Sequence, residues 1–174
     1  RLPLVMVSPG DQTIITGGSD VRRKFIDGIL SQTDHAYLDH LIQYAKALDQ
    51  RNRLLKQMWE DRIWDESMVG VWDEQLCCHG EPLLDARRRF ISDFEPLFAE
   101  YYHWIAGPDE PGCIDYSTDE RPLARQIAES RQADKYSQYT NAGPHKDDLL
   151  FMLGNDFSVK RFGSQGQQKS FALA

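Results

Sequence analysis

Residues 162–169 read Phe162-Gly163-Ser164-Gln165-Gly166-Gln167-Gln168-Lys169, and they are the most informative stretch of this chain. Two apolar segments precede them and the mainly apolar residues 170–174 follow, which predicts a strand-to-helix junction. A serine and a glycine at such a junction leave backbone N–H groups at the positive end of a helix dipole. That arrangement suits a phosphate.

The junction has two interpretations. In the functional one, the Ser164 hydroxyl donates to an anion while the amides of Gln165 and Gly166 form a small nest. Gly166 permits close approach of a ligand to the backbone, and Gln167 orients a water or a ribose. In the other, Ser164 only caps a helix in a polar loop, and these residues taken alone favour the cap.

Composition limits the possible partners. The chain has 174 residues, enough for one domain and part of a second, and 41% of them are hydrophobic. Its net charge of −7 repels nucleic acid on average, so any DNA contact requires a local basic patch. No apolar run is long enough to span a membrane, and no signal peptide pattern is present. The three cysteines, Cys77, Cys78 and Cys113, lack metal-binding spacing and predict reduced thiols in a cytoplasmic protein.

The first half of the chain is predicted to be mainly helical. A strand over residues 2–7 leads into a turn, and a short apolar stretch over 13–16 ends at two glycines. Ser19 is the predicted N-cap of a helix that reaches about Leu30, and a longer helix starts after Thr33 or Asp34. A third helical region, over residues 72–105, is expected to kink or break at Gly80 and Pro82.

The second half is predicted to return to a sheet. A linker over 107–112 precedes a strand at 113–116 and a helix at 122–133. Two strands, 149–153 and 157–162, are joined by a turn at 154–156. The predicted fold class is therefore α+β, mainly α, with a long-helix arm between short strands at both ends of the chain.

Five sequence blocks together carry a family resemblance. They are residues 17–27 (GGSDVRRKFID), 50–56 (QRNRLLK), 72–76 (WDEQL), 143–149 (GPHKDDL) and 162–169 (FGSQGQQK). In this order, over nearly the whole chain, they resemble the RecF family of bacterial DNA replication and repair proteins. Lys146 stands where that family commonly has arginine. Lysine keeps the positive charge, but it cannot bind a carboxylate or phosphate through two parallel N–H bonds as arginine does.

The resemblance implies a fold and a function that composition does not. It implies an ABC-type ATPase head with an inserted helical arm, divided here into residues 1–19, 20–107 and 108–174. The whole protein would bind ATP and Mg²⁺, dimerise on ATP, bind DNA (double-stranded or at a single-strand/double-strand junction) and help direct RecA loading at single-strand gaps together with RecR. Recombination, the SOS response and weak DNA-dependent ATPase activity belong to the same expectation.

The signature motif of such proteins completes a nucleotide site on another subunit. The residues that match it, and are expected to meet ATP in trans, are Ser164, Gln165, Gly166, Gln167 and Gln168. The sequence holds no G-x-x-x-x-G-K-[S/T] phosphate loop and no apolar strand ending in the acids that bind Mg²⁺. We therefore expect no activity and no cofactor in this stretch by itself.

Two further groups are candidate site residues. The candidates for DNA contact are Arg22, Arg23, Lys24, Arg51, Arg53 and Lys56. The alternatives for these are a solvated helix face, or, for Arg22 and Arg23, ion pairs that hold the helix to the head. His145, Lys146 and Asp147 are candidates for a loop near the nucleotide interface. We expect a hydrogen-bonded corner there rather than a metal site, because the neighbouring acidic side chains should not converge.

A second function, from another class, stays open at this point. The helices could form a non-enzymatic module that docks a partner protein, with Ser164 only a helix cap. A phosphate loop upstream of Arg1 and an apolar-acidic strand downstream of Ala174 would decide for the ATPase.

Overall fold

The computed structural model of the chain describes residues 9–154 and 157–174. Helices occupy most of these residues, and the predicted α+β, mainly α class is confirmed. In chain order the elements are a 3-10 helix (Pro9–Gln12), α1 (Thr13–Thr16), α2 (Ser19–Thr33), α3 (His35–Glu60), α4 (Glu66–Ala106), β1 (Gly112–Ser117), α5 (Leu123–Ser137), β2 (Asp148–Leu153), β3 (Phe157–Ser158), α6 (Val159–Phe162) and α7 (Gln165–Leu173).

Helix α3 begins where the sequence predicts, because Asp34 caps it. The carboxylate of Asp34 accepts hydrogen bonds from the backbone N–H groups of Ala36, at 2.8 Å, and Tyr37, at 3.3 Å. The buried residues of the helix recur every three or four positions: Tyr37, Tyr44, Ala47, Arg51, Leu55 and Met58. One face of α3 therefore packs into the protein along its whole length.

Helix α4 is continuous over 41 residues, so the break predicted at Gly80 and Pro82 is wrong. Pro82 removes one backbone donor, but Leu83 and Leu84 directly after it are fully buried, and their packing outweighs that loss. Gly80 serves close packing instead of termination. A Cβ added there would lie 2.5 Å from Cδ2 of Leu123.

The sheet is antiparallel, with strand order β1–β2–β3. Strand β1 confirms the strand predicted at 113–116, and Gly112 of β1 pairs with Leu153 of β2. The strand predicted over 157–162 is correct only for its first two residues. From Val159 the chain turns into α6, because the Val159 side chain is fully buried and its carbonyl accepts from the Gly163 N–H at 2.9 Å.

The remaining differences from the sequence prediction concern the N-terminal residues and the turn predicted at 154–156. The apolar stretch Thr13–Thr16 forms a short helix, so no strand precedes β1 among residues 9–154. The strand predicted over residues 2–7 lies outside the described residues, as do positions 155 and 156 of the predicted turn.

The described residues form two compact units. One contains 9–25, 89–117 and 148–174, and in it the Tyr102 and Phe171 rings pack with centroids 4.3 Å apart. The other contains 26–88 and 118–147. Its core consists of Tyr37, Tyr44, Ala47, Leu76, Leu83, Leu84, Leu123 and Ile127. Compactness alone does not define the domains of a protein family, so the predicted division at residues 19 and 107 stays a prediction.

Across 9–154 and 157–174, no helix combines the length and the apolar character that crossing a bilayer requires.

Candidate functional site

Ser164 is the N-cap of α7, so a helix starts at the predicted junction, although the short helix α6 and not a strand precedes it. Its Oγ accepts a hydrogen bond from the Gln167 N–H at 3.2 Å, and the Gln167 side-chain Oε1 accepts from the Ser164 N–H at 2.8 Å. These two bonds form a capping box, in which each residue satisfies the other's backbone donor. Hydrogen bonds between Ser164 and Gln167 thus hold the first turn of α7 in its capped conformation.

The first turn of α7 faces solvent. Ser164, Gln165 and Gly166 are exposed, and in the described part of the chain the N–H groups of Gln165 and Gly166 have no hydrogen-bond partner. Both N–H groups belong to the positive end of the helix dipole. Among the described residues, a Cβ added to Gly166 would contact Ser164 Oγ alone, at 3.8 Å, so packing in this part of the chain does not require glycine there.

The two glutamines that follow are held inside the chain. The Gln167 amide donates to both carboxylate oxygens of Glu110 at 3.2 Å. The Gln168 amide donates to the carbonyls of Val159 and Gly163, at 3.4 and 3.2 Å. In this arrangement neither amide points to an open ligand position, and Gln167 must leave Glu110 before it can orient a water or a ribose.

Arg22 is buried and fully engaged. Its guanidinium donates to Asp148 through Nε at 2.6 Å and Nη2 at 2.9 Å, and its Nη1 donates to the carbonyls of Ile14 and Gly17. The side chain is 4% exposed. We therefore correct its assignment as a DNA contact: Arg22 holds α2 to the start of β2, as in the ion-pair alternative. Arg23 is half-buried and Lys24 is exposed.

Arg51 is likewise a structural residue and not a DNA contact. It is completely buried and donates to Asp73 at 2.7 Å, Asp134 at 2.8 Å and Thr140 at 2.8 Å. These bonds join α3 to α4, to α5 and to the loop after α5. Of its neighbours in the candidate set, Arg53 is exposed and pairs with Asp49 one turn earlier, and Lys56 is exposed.

His145 forms the hydrogen-bonded loop corner that we expected. Its Nε2 lies 2.9 Å from the Thr140 carbonyl, which can only accept, so Nε2 carries a proton. In the neutral ring Nδ1 then accepts from the Tyr44 hydroxyl at 2.7 Å. Burial raises the pKa of Tyr44, which keeps that hydroxyl a donor.

The rest of this loop divides between the interior and the surface. Asp147 is buried, with a carboxylate oxygen 3.7 Å from Nη1 of Arg87, whereas Lys146 is exposed. Among residues 9–154 and 157–174, no three metal-ligating side chains come together. Of the three predicted loop residues, Lys146 is thus the one that can reach another molecule.

Sequence reasoning missed the role of Arg87. This residue is buried, donates to Asp27 at 2.8 Å and to the Pro144 carbonyl at 2.7 Å, and also contacts the Tyr37 hydroxyl. Helical periodicity could have found it, since Arg87 continues the buried spacing of α4 through Leu84 and Ile91. The same argument places Arg51 on the buried face of α3.

Comparison with known proteins gives one consistent result. No family model matches the chain. The DNA replication and repair protein RecF of Parabacteroides distasonis is 46% identical over 99% of this chain and 47% of its own length. RecF of Flavobacterium johnsoniae is 39% identical over 99% of this chain and 48% of its own length. The chain thus spans about half the length of these relatives.

Solved structures agree with the sequence relatives. The recombination mediator protein RecF-ATP of the RecFOR pathway matches with a TM-score of 0.87 and 27% identity, over 96% of this chain and 47% of that one. RecF-ATPrS of the same pathway matches with a TM-score of 0.88 over the same shares. The ABC-type fold expected from the sequence is confirmed by these matches.

Proposed function

Because this chain belongs to the RecF family, we propose that it forms the helical arm and the signature-bearing part of an ATP-binding DNA replication and repair protein. The observation that carries the proposal is the exposed first turn of α7. There a capped helix N-terminus presents, beside the Ser164 hydroxyl, two N–H groups that have no partner among residues 9–154 and 157–174.

This turn supplies one side of a nucleotide site. Two N–H groups, a hydroxyl and a helix dipole suit a phosphate oxygen. A phosphate-binding loop with its lysine is not in this sequence, so these groups act on a nucleotide held by other residues. In our proposal that nucleotide is ATP with Mg²⁺ on a second copy of the protein, and Ser164 and Gly166 contact its γ-phosphate.

Glycine at position 166 supports an external ligand. Its own surroundings leave room for a Cβ, so packing does not require glycine there, whereas close approach of a phosphate to the backbone would favour it. Loss of the γ-phosphate on hydrolysis would remove the charge that holds the two copies together, and dimerisation would then report the nucleotide state.

DNA contact is the second part of the proposal. Arg22 and Arg51 are excluded by burial, which leaves Arg23, Lys24, Arg53 and Lys56 as the candidates on helices α2 and α3. The exposed cations Lys24, Arg53 and Lys56, and the half-buried Arg23, can meet the phosphate backbone without reading the base sequence. The ATP-bound dimer would hold DNA in this way and help direct RecA loading at single-strand gaps with RecR.

The test is Ser164→Arg in the intact protein. A bulky cation at the N-cap blocks the approach of a γ-phosphate and opposes the helix dipole. We expect ATP-dependent dimerisation, measured by sedimentation, to be lost. Gln132→Arg, an exposed change on α5, serves as the matched control. If the Ser164→Arg protein dimerises on ATP as well as the wild type does, the assignment of residues 164–168 as the signature motif is wrong.

One observation favours the alternative of a protein-docking helical module. The capping box alone accounts for Ser164, since a serine N-cap needs no ligand to be stabilising. If that is its whole role, Ser164→Arg changes the free energy of unfolding and nothing that depends on nucleotide.

A further inference from the structure

His40 and His79 form a pair that no part of the proposed nucleotide or DNA function uses. His40 lies on α3 and His79 on α4, both within the unit of residues 26–88 and 118–147. Their Nδ1 atoms are 3.1 Å apart, and their ring centroids are separated by 5.3 Å with the planes tilted by 51°. Both side chains are half-buried, so solvent and ions reach them.

The separation of the two nitrogens matches a chelate. Imidazole nitrogens bind zinc at about 2.0–2.1 Å. Two such bonds to nitrogens 3.1 Å apart enclose an angle of roughly 100° at the metal, between the octahedral and tetrahedral values. The distance between the two nitrogens is therefore one that a single metal ion can span.

The protonation states also permit coordination. In the neutral pair one Nδ1–H donates to the other Nδ1, and a shift of that proton to Nε2 of the same ring frees both Nδ1 lone pairs without net loss of a proton. The residues three and four positions from His40 on α3, and from His79 on α4, are all uncharged. None of them can therefore form an ion pair with either imidazole.

We propose that His40 and His79 form a two-histidine site for a divalent transition metal such as Zn²⁺, Ni²⁺ or Cu²⁺. Imidazole suits these ions, and water completes the coordination shell. The bound ion links α3 to α4 within the unit of residues 26–88 and 118–147. Because it binds the folded state, it stabilises that unit in proportion to the logarithm of its concentration.

The test measures Zn²⁺ binding to the metal-free intact protein by calorimetry. Replacement of one ligand, in His40→Gln or His79→Gln, should weaken this binding by about tenfold or more. His35→Gln is the matched control, because His35 is exposed at the start of the same helix α3 and lies outside the pair. Mg²⁺, which prefers oxygen ligands, should give no heat at this site. Equal Zn²⁺ affinity of wild type and both pair variants would overturn the proposal.

A second measurement needs no variant and so does not depend on their folding. Diethyl pyrocarbonate modifies accessible imidazole nitrogens, and mass spectrometry reports the modification of each histidine. Saturating Zn²⁺ should slow modification of His40 and His79 and leave His35 unchanged. If the rates at His40 and His79 do not respond to Zn²⁺, no metal binds this pair.

Discussion

Arg22 and Asp148 form a two-bond ion pair, with Nε–Oδ1 at 2.6 Å and Nη2–Oδ2 at 2.9 Å, although 126 positions separate them in the sequence. The pair joins α2 to the first residue of β2. Because both bonds need the planar guanidinium fork, only arginine can make them together.

Replacing Arg22 should therefore destabilise the fold. Arg22→Ala leaves Asp148 without its ion-pair partner and removes one donor each from the Ile14 and Gly17 carbonyls, of which Gly17 keeps the bond from Lys160. The free energy of unfolding should therefore fall by about 3 kcal/mol. Arg22→Lys should recover only part of this, because lysine cannot form the fork. Chemical denaturation measures both variants. Lys24→Ala, an exposed change on the same helix, should have little effect. An Arg22→Ala protein as stable as Lys24→Ala would contradict a structural role for Arg22.

Gly112 provides a test of packing in the same unit. A Cβ on residue 112 would lie 2.5 Å from Cδ1 of Tyr102 and 2.9 Å from Cζ of Phe171, two rings of the core. Gly112→Ala should therefore cost about 1–3 kcal/mol of unfolding free energy. Gly28→Ala has open space around its Cβ on helix α2 and should be neutral or stabilising. Similar melting temperatures for the two variants would refute this packing.

DNA binding should depend on the exposed cations of α2 and α3. Lys24→Glu in the intact protein should weaken DNA binding and reduce the slope of log affinity against log salt by about one, if the residue neutralises a phosphate. Arg125→Glu is the control, since it makes the same change of charge at an exposed arginine outside the candidate set. Salt slopes that agree for wild type, Lys24→Glu and Arg125→Glu would exclude Lys24 from the DNA contact.

The neighbouring cysteines should differ in reactivity. Burial, with smaller contributions from Asp73 and Glu81, raises the pKa of Cys77 to about 11. Since the thiolate is the nucleophile, Cys77 is mostly in its unreactive thiol form at pH 8. Iodoacetamide should thus modify the exposed Cys78 first, and Cys77 should react faster as the pH rises towards 11. Peptide mass spectrometry separates the two. Denatured protein, in which both thiols are exposed, is the control, and equal rates in the folded protein would disprove the difference.

Local signals predicted much of the fold. Asp34 marks the start of α3 through side-chain hydrogen bonds that act within a few residues, whereas Ser19, the predicted N-cap of α2, is itself the first residue of that helix. The strands β1 and β2 follow from short apolar runs bounded by turn residues. Gly80 and Pro82 misled the prediction, because long-range burial of the residues around them decides whether a helix continues.

The candidate site was harder to predict than the fold. Arg22, Arg51 and Arg87 each stand in or beside a basic run, and charge alone does not distinguish a surface cation from a buried one. Their carboxylate partners lie on other elements, at sequence separations that only the folded chain brings together. Helical spacing identifies Arg51 and Arg87 as inward-facing, but no local signal identifies Asp148 or the approach of His79 to His40.

The central claim is that the first turn of α7 receives a γ-phosphate, and a pair of substitutions at Ser164 tests it while keeping the cap. Aspartate and asparagine are both good N-caps, so Ser164→Asp and Ser164→Asn should preserve α7 and the melting temperature. They differ in charge alone, and only aspartate places a negative group where the phosphate would bind.

The measurement is sedimentation of the intact variants with and without ATP. We predict that Ser164→Asn still dimerises on ATP and that Ser164→Asp stays monomeric. Equal ATP-dependent dimerisation of the two variants would contradict the account, because the charge at residue 164 would then make no difference to the nucleotide.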